Sequence, residues 1–278
     1  MGPNHREAAL SDKLFDHPWR TIRVERREHI VEVALNRPDA RNALNGDLME
    51  ELTEAAGLLR LRTDVRAVIL KGADGYFSAG ADLNASQQRT SLSLIESRRA
   101  VMAGPDMCRA WSEIEAVTIA AIEGYCIGGG AALVIACDFR VMGEGAYLRL
   151  PEVPLGMNMS WRSIPKIAAL VGPSRAKQFV MFGEAVDTAT CLNWGFADEG
   201  VPKGEAVTAA RRWADKVAAL PPLPIRMTKE AVNAVTQATA QASIYMDRDQ
   251  FLLATSSQDY REGLAAFREK RPGKFTGS

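Results

Sequence analysis

Between Thr21 and Pro38 the chain alternates. Val31, Val33 and Leu35 are apolar and their neighbours are polar or small, so TIRVERREHIVEVALNRP predicts two short strands turning around Arg26–Glu28. Pro38 cannot donate to a ladder and stops the second strand. From Asn45, a residue suited to capping, the spacing becomes helical. Leu48, Leu52, Ala55, Ala56 and Leu59 share one face, which predicts a helix through Leu61. VRAVILKG predicts a buried strand ending at Gly72, and the turn GADG leads on to YFSAGADL. Residues 91–115 read as helical with an exposed polar face. VTIAAIEG is a further buried strand, and the apolar run after Gly128–Gly130 is a helix through Cys137. Short strands follow at FRVM and AYLRL, then two helices within 160–184 parted near Gly172–Pro173. Beyond Pro202 the pattern is almost wholly helical: Glu205–Leu220, a break at PPLP, Ile225–Ala240, Ile244–Thr255 and Asp259–Arg268.

Strand and helix thus alternate for about two hundred residues before helices take over, an α/β arrangement with a change of layer near residue 200. The expected organisation is a loose arm at 1–20, a core at 21–202 and a helical region at 203–278.

Composition narrows the chemistry. Lys+Arg and Asp+Glu are equal at 34 each, which gives no electrostatic reason to expect nucleic acid or an anionic membrane as partner. The four cysteines, Cys108, Cys126, Cys137 and Cys191, form no C-x-x-C pair, so neither a disulfide framework nor a zinc site is expected. No apolar stretch reaches spanning length, and the acidic N-terminal stretch does not resemble a transit peptide, so a cytoplasmic protein is expected. The three histidines, His5, His17 and His29, all lie near the start. A Ser-His-Asp or Cys-His site in the central segments would need one of them brought back. G-x-S-x-G, H-E-x-x-H and the P-loop pattern are missing, and the glycines of 124–130 do not fit G-x-G-x-x-G.

Two junctions of strand and helix remain, SAGAD at 78–82 and IGGGAA at 127–132. A glycine permits close approach at each, and free backbone N–H groups follow. They are either tight turns before packed helices or two converging donors for an oxyanion. The third feature is LPEVPLG, in which Glu152 is either solvated at a strand end or held dry with a raised pKa.

In this order and spacing, RPDARNALN, FSAGADL, GYCIGGGAALVIACD, LPEVPLG and DYREGLAAFREKRPGKF resemble five segments of the crotonase, or enoyl-CoA hydratase/isomerase, superfamily. The resemblance runs from about residue 20 to 275. It implies a crotonase-type spiral of ββα units followed by helices that build homotrimers or hexamers. It also implies an acyl-CoA substrate that brings coenzyme A with it, and no separate cofactor or metal. By matching position the oxyanion donors are the N–H groups of Ala81 and Gly129, and the acid/base is Glu152. Arg41 and Ala43, then Ala79, Asp82 and Leu83, line the coenzyme A groove. Met157, Met159 and Trp161 line the acyl pocket. Phe267 and Lys270 stand where relatives reach a neighbouring subunit's adenine. Asn84 replaces a lysine common in relatives.

One departure decides the reaction expected. Hydratases of the superfamily use two glutamates, and the first falls at Ala132 here. Dienoyl-CoA isomerase-like members have a further acid where this chain has Ser160. One retained glutamate resembles the Δ3,Δ2-enoyl-CoA isomerases. The alternatives are a hydratase or lyase using Glu152 alone, and a non-catalytic acyl-CoA-binding scaffold.

Overall fold

The computed structural model describes residues 13–82 and 92–278. Most of the expected N-terminal arm, and Leu83 and Asn84, lie outside the described residues. The N-terminal hairpin forms as its alternation predicts: β1 (Ile22–Arg27) pairs antiparallel with β2 (Ile30–Leu35). The helix that follows, α1 (Gly46–Arg60), is capped by Asn45, whose side chain accepts from the Leu48 N–H at 3.0 Å. Next come β3 (Ala67–Gly72), α2 (Leu94–Ala100), α3 (Ala103–Ser112) and β4 (Val117–Ile122). Then β5 (Tyr125–Ile127) leads straight into α4 (Gly129–Ala136), and β6 (Phe139–Gly143) and β7 (Tyr147–Arg149) follow. The single helix expected over 91–115 is two, because the chain turns at Val101–Met102.

A six-stranded sheet runs β1-β2-β3-β4-β6-β9, with β9 at Glu199–Val201 and every pair but the first parallel. A small second sheet joins β5, β7 and β8 (Val186–Asp187). Strands β2 and β4 are buried along their whole length, the sign of a parallel sheet covered on both faces. On one face lie α1, α3 and α4. On the other, α7 (Ala206–Ala218) lays Ala206, Ala209, Ala210 and Ala214 over Ile69, Ile119 and Val141. Alanines let that helix approach closely, so the chain just past residue 202 still packs on the sheet.

Between these elements, α5 (Ser163–Phe182) contains the break expected near Gly172, where φ 77° and ψ 165° interrupt the helix before Pro173. A short α6 (Thr188–Trp194) precedes β9. The C-terminal helices are α8 (Pro222–Thr236), α9 (Gln241–Ile244), α10 (Asp247–Ser256) and α11 (Gln258–Glu269). α11 returns to the core. Gly263 passes so close to the Leu155 backbone that an added Cβ would stand 2.6 Å from it.

Every residue of α4 is buried, so nothing in the helix itself anchors its ends in water. Arg140 holds its C-terminal end. That side chain is 2% exposed and donates to the carbonyls of Cys137 at 2.9 Å, Asp138 at 3.1 Å and Phe196, with Asp198 beside it. Replacing Arg140 by Leu leaves those acceptors dry and unpaired. The expected loss is about 3 kcal/mol, read from chemical denaturation.

Candidate active site

Three loops meet at the N-terminal end of α4, and each is fixed by backbone bonds to the next. Leu44 donates to the Gly80 carbonyl at 2.8 Å and accepts from the Asp82 N–H at 3.0 Å. A residue bridged in this way through its two neighbours turns its own N–H to the opposite side. The Ala81 N–H therefore faces away from Leu44, and no partner for it is seen among the described residues. Ser78 pairs with Cys126, its carbonyl accepting from the Ile127 N–H at 3.0 Å. The Gly128 N–H is taken by the Arg149 carbonyl at 2.8 Å, which leaves Gly129 as the first free donor of the helix.

The three successive glycines have three different reasons. Gly128 has φ 52°, and an added Cβ would stand 2.9 Å from Oε1 of Glu152. At Gly129 the Cβ would enter the indole of Trp161, and at Gly130 it would lie 2.8 Å from Cβ of Ser78. Gly80, with φ 90°, leaves only 2.8 Å between its own added Cβ and the Ile127 carbonyl. The two candidate donor segments are thus in backbone contact, and Glu152 lies against the same turn.

The Glu152 residue is partly exposed, but its carboxyl end is not: Oε2 is buried and has no partner among the described residues. Burial raises its pKa to about 7, while its own backbone N–H and the charge of Arg149 pull the other way. A carboxyl poised there exchanges a proton at neutral pH. Ala132 lies one turn into α4 and is 2% exposed, so a methyl stands where the resemblance would put a second acid.

Of the other expected residues, Ala43 and Ala79 flank this meeting point. The Ala79 N–H donates to the Arg41 carbonyl at 3.1 Å, while the Arg41 side chain is exposed. Asp82 faces Arg37 at 3.3 Å. Met157 binds the Glu152 carbonyl through its N–H at 2.9 Å, and Met159 is 4% exposed beneath it. Trp161 lies against Gly129 and Gly104. Phe267 and Lys270 are exposed at the end of α11, and no contact with Glu152 or Gly129 is seen.

The motif reading missed the residues that hold these loops. Arg37 also donates to the Ala43 carbonyl, tying the 41–44 loop to the Ala81 segment. Asn42 is fully buried with φ 52°, accepts from the Arg37 N–H at 2.9 Å and donates to the Phe77 carbonyl at 3.2 Å. The Ser78 hydroxyl donates to the Asn42 carbonyl at 2.7 Å and accepts from the Gly80 N–H at 3.1 Å. The signal for Asn42 was its type, since asparagine tolerates left-handed backbone. Among the described residues no cluster of three or more His, Cys, Asp or Glu could hold a metal ion, and no helix is long and apolar enough to cross a membrane.

Two outcomes follow. Gly128→Ala puts a methyl against the carboxylate in a strained backbone and is expected to abolish turnover while the circular dichroism stays native. The pH dependence has a definite sign. The folded pKa of Glu152, about 7, exceeds the reference 4.5, so the folded state keeps a proton that the unfolded state has lost. Stability from this group falls as pH rises from about 4.5 to about 7 and stays low above it. Glu152→Gln is expected to gain stability on the wild type, approaching about 3 kcal/mol at pH 8 relative to pH 4.5, read from paired denaturation curves.

Comparison with known proteins agrees with this geometry. Residues 25–278 match the enoyl-CoA hydratase/isomerase family. A probable enoyl-CoA hydratase of Mycobacterium tuberculosis is 33% identical over 261 residues, covering 93% of this chain and 98% of that one. A crotonyl-CoA hydratase of Syntrophomonas wolfei is 31% identical, covering 92% and 98%. The crystal structure of an enoyl-CoA hydratase from Mycobacterium avium has the same fold, with a TM-score of 0.83 at 24% identity, covering 93% of this chain and 100% of that one. With its mostly parallel sheet and the loop junctions at Ala81 and Gly129, the chain belongs to the enoyl-CoA hydratase/isomerase family, the crotonase superfamily, and is an enzyme of that family.

Proposed function

We propose that the protein shifts a double bond in an acyl-CoA thioester, from 3-enoyl-CoA to 2-trans-enoyl-CoA, with Glu152 as its only acid and base. One observation carries this reading. The site brings one buried carboxyl, poised near neutrality, to the free N–H groups of Ala81 and Gly129, and a methyl stands at Ala132. Glu152 takes a proton from C2, and the electrons move into the thioester carbonyl. Ala81 and Gly129 donate to the resulting dienolate oxygen, each worth about 3–4 kcal/mol in the transition state. Glu152 then returns the proton to C4 on the same face, and the double bond lies between C2 and C3. No atom is gained or lost, and coenzyme A serves as handle rather than cofactor. One base on one face suffices for such a shift. Syn addition of water is ordinarily served by two carboxylates, one orienting the water and one supplying the proton.

The second reading is hydration, or carbon–carbon lysis, by Glu152 alone. The hydratase names of the relatives favour it. The two are separated by offering 3-hexenoyl-CoA and crotonyl-CoA in turn and identifying products by mass and chromatography. The isomerase reading expects an isobaric 2-enoyl product from the first and little water addition to the second. Rapid hydration of crotonyl-CoA would replace it. Glu152→Gln is expected to lower turnover by about a hundredfold or more.

A homotrimer, or a hexamer of two trimers, fits the outer face of the C-terminal helices. Val235 on α8 and Leu253 on α10 are 79% and 74% exposed. Large apolar side chains so exposed call for a partner. Light scattering is expected to give three or six chains, and a monomer would overturn this assembly.

A further inference from the structure

Behind the site lies a cavity of about 560 Å³ that the chemistry described so far does not use. Glu152, Ala81 and Gly129 do not line it, but two of its wall residues adjoin the site. Trp161 lies on Gly129 with one part of its indole and on Gly104 with another, and it lines the cavity as well. Ala132, one turn along α4 from the donor at Gly129, also lines it, and its methyl leaves open the space that a glutamate would fill. The cavity continues along α4 to Ala136.

Its charge is one-sided. Six of its lining side chains are basic and three are acidic. Four of the six basic groups are committed: Arg60 to Glu113 at 3.2 Å, Arg109 to Asp106 at 3.2 Å, Arg226 to Glu115 at 2.6 Å and Lys229 to Asp138 at 2.6 Å. Lys166 is not. Among the described residues its ammonium has one hydrogen-bond partner, the Ala136 carbonyl at 3.3 Å, and burial lowers its pKa to about 8. The acid that pulls on it most, Asp138, already serves Lys229 and both the N–H and the hydroxyl of Thr118. Arg162, also on the wall, has Asp247 as its nearby charge, but that carboxylate is held by the Arg162 backbone N–H. Its backbone is held firmly. Trp161 and Arg162 are consecutive left-handed residues, with φ 62° and 59°, and the Arg162 N–H is bound by the buried Asp247 at 3.0 Å. Asp138 is shared among three other donors, so the Lys166 ammonium keeps room for a further anion.

We propose that this cavity receives the far end of the acyl group and selects acyl groups carrying a terminal carboxylate, bound by Lys166 with Arg162 beside it. The inference rests on the acyl-CoA reading of the site. The length fits. From Gly129 to Ala136 the helix rises about 10 Å, so a thioester held at Gly129 places the end of a chain of roughly six to eight carbons near Lys166. An uncharged chain of equal length leaves the ammonium unmatched.

The test is calorimetric titration of the full-length Glu152→Gln protein with adipoyl-CoA and with hexanoyl-CoA, which share length and handle and differ in the terminal carboxylate. Adipoyl-CoA is expected to bind about tenfold or more tightly. Adding Lys166→Met is expected to bring the affinity ratio close to one, with native circular dichroism showing that the double variant folds. Lys166→Arg is expected to keep most of the preference. Equal or tighter binding of hexanoyl-CoA in the Lys166 protein would overturn the subsite and leave the acyl-CoA reading standing. Binding of neither ester would overturn both.

Discussion

Everything at this site depends on one close approach. The carboxyl of Glu152 lies so near the Cα of Gly128 that no side chain fits between them, and the first free N–H of α4 follows one residue later. The approach places a proton carrier beside a pair of oxyanion donors. It also dries the carboxyl, and drying is what lifts its pKa towards neutrality. Proximity and acidity are therefore two results of the same packing. A wider turn at Gly128 would lose both.

The scaffold serves that contact by holding backbone rather than side chains. Leu44, Gly80, Ser78 and Ile127 form bridges between loops, and buried Asn42 satisfies two of the loops at once. Every residue of α4 is buried, so the helix is held by the elements around it. Arg140 fixes its far end, and the short turn after Glu152 is pressed from outside by α11 at Gly263. The helices past residue 202 thus contribute to the position of Glu152 as well as to the outer surface.

Much of this was legible in the sequence, for identifiable reasons. α1 was legible because it buries one consistent face, and β2 and β4 because apolar runs between polar turns mark strands covered on both sides. The glycines and Glu152 stood out because small residues and an isolated acid in apolar surroundings are locally improbable. Arg37, Asn42 and Asp247 were not legible. Their roles depend on loops far apart in the chain that meet only after folding. The cavity behind Trp161 was hidden for the same reason, since α3, α4, α5 and α8 all contribute walls. The break between α2 and α3 had a signal in Gly104–Pro105, just past the point where a helix with no buried residue gives way to one that buries Met107, Cys108 and Trp111.

The central claim is that one carboxyl moves one proton across one face of the substrate. The direct measurement is to supply 3-hexenoyl-CoA deuterated at C2 and to locate the label by NMR after a few turnovers. A single base returns part of the deuterium to C4 on the face from which it left, and the account predicts that outcome. Product whose new C4 hydrogen, label or solvent proton, arrives on the opposite face would show that a second group takes part and would contradict it.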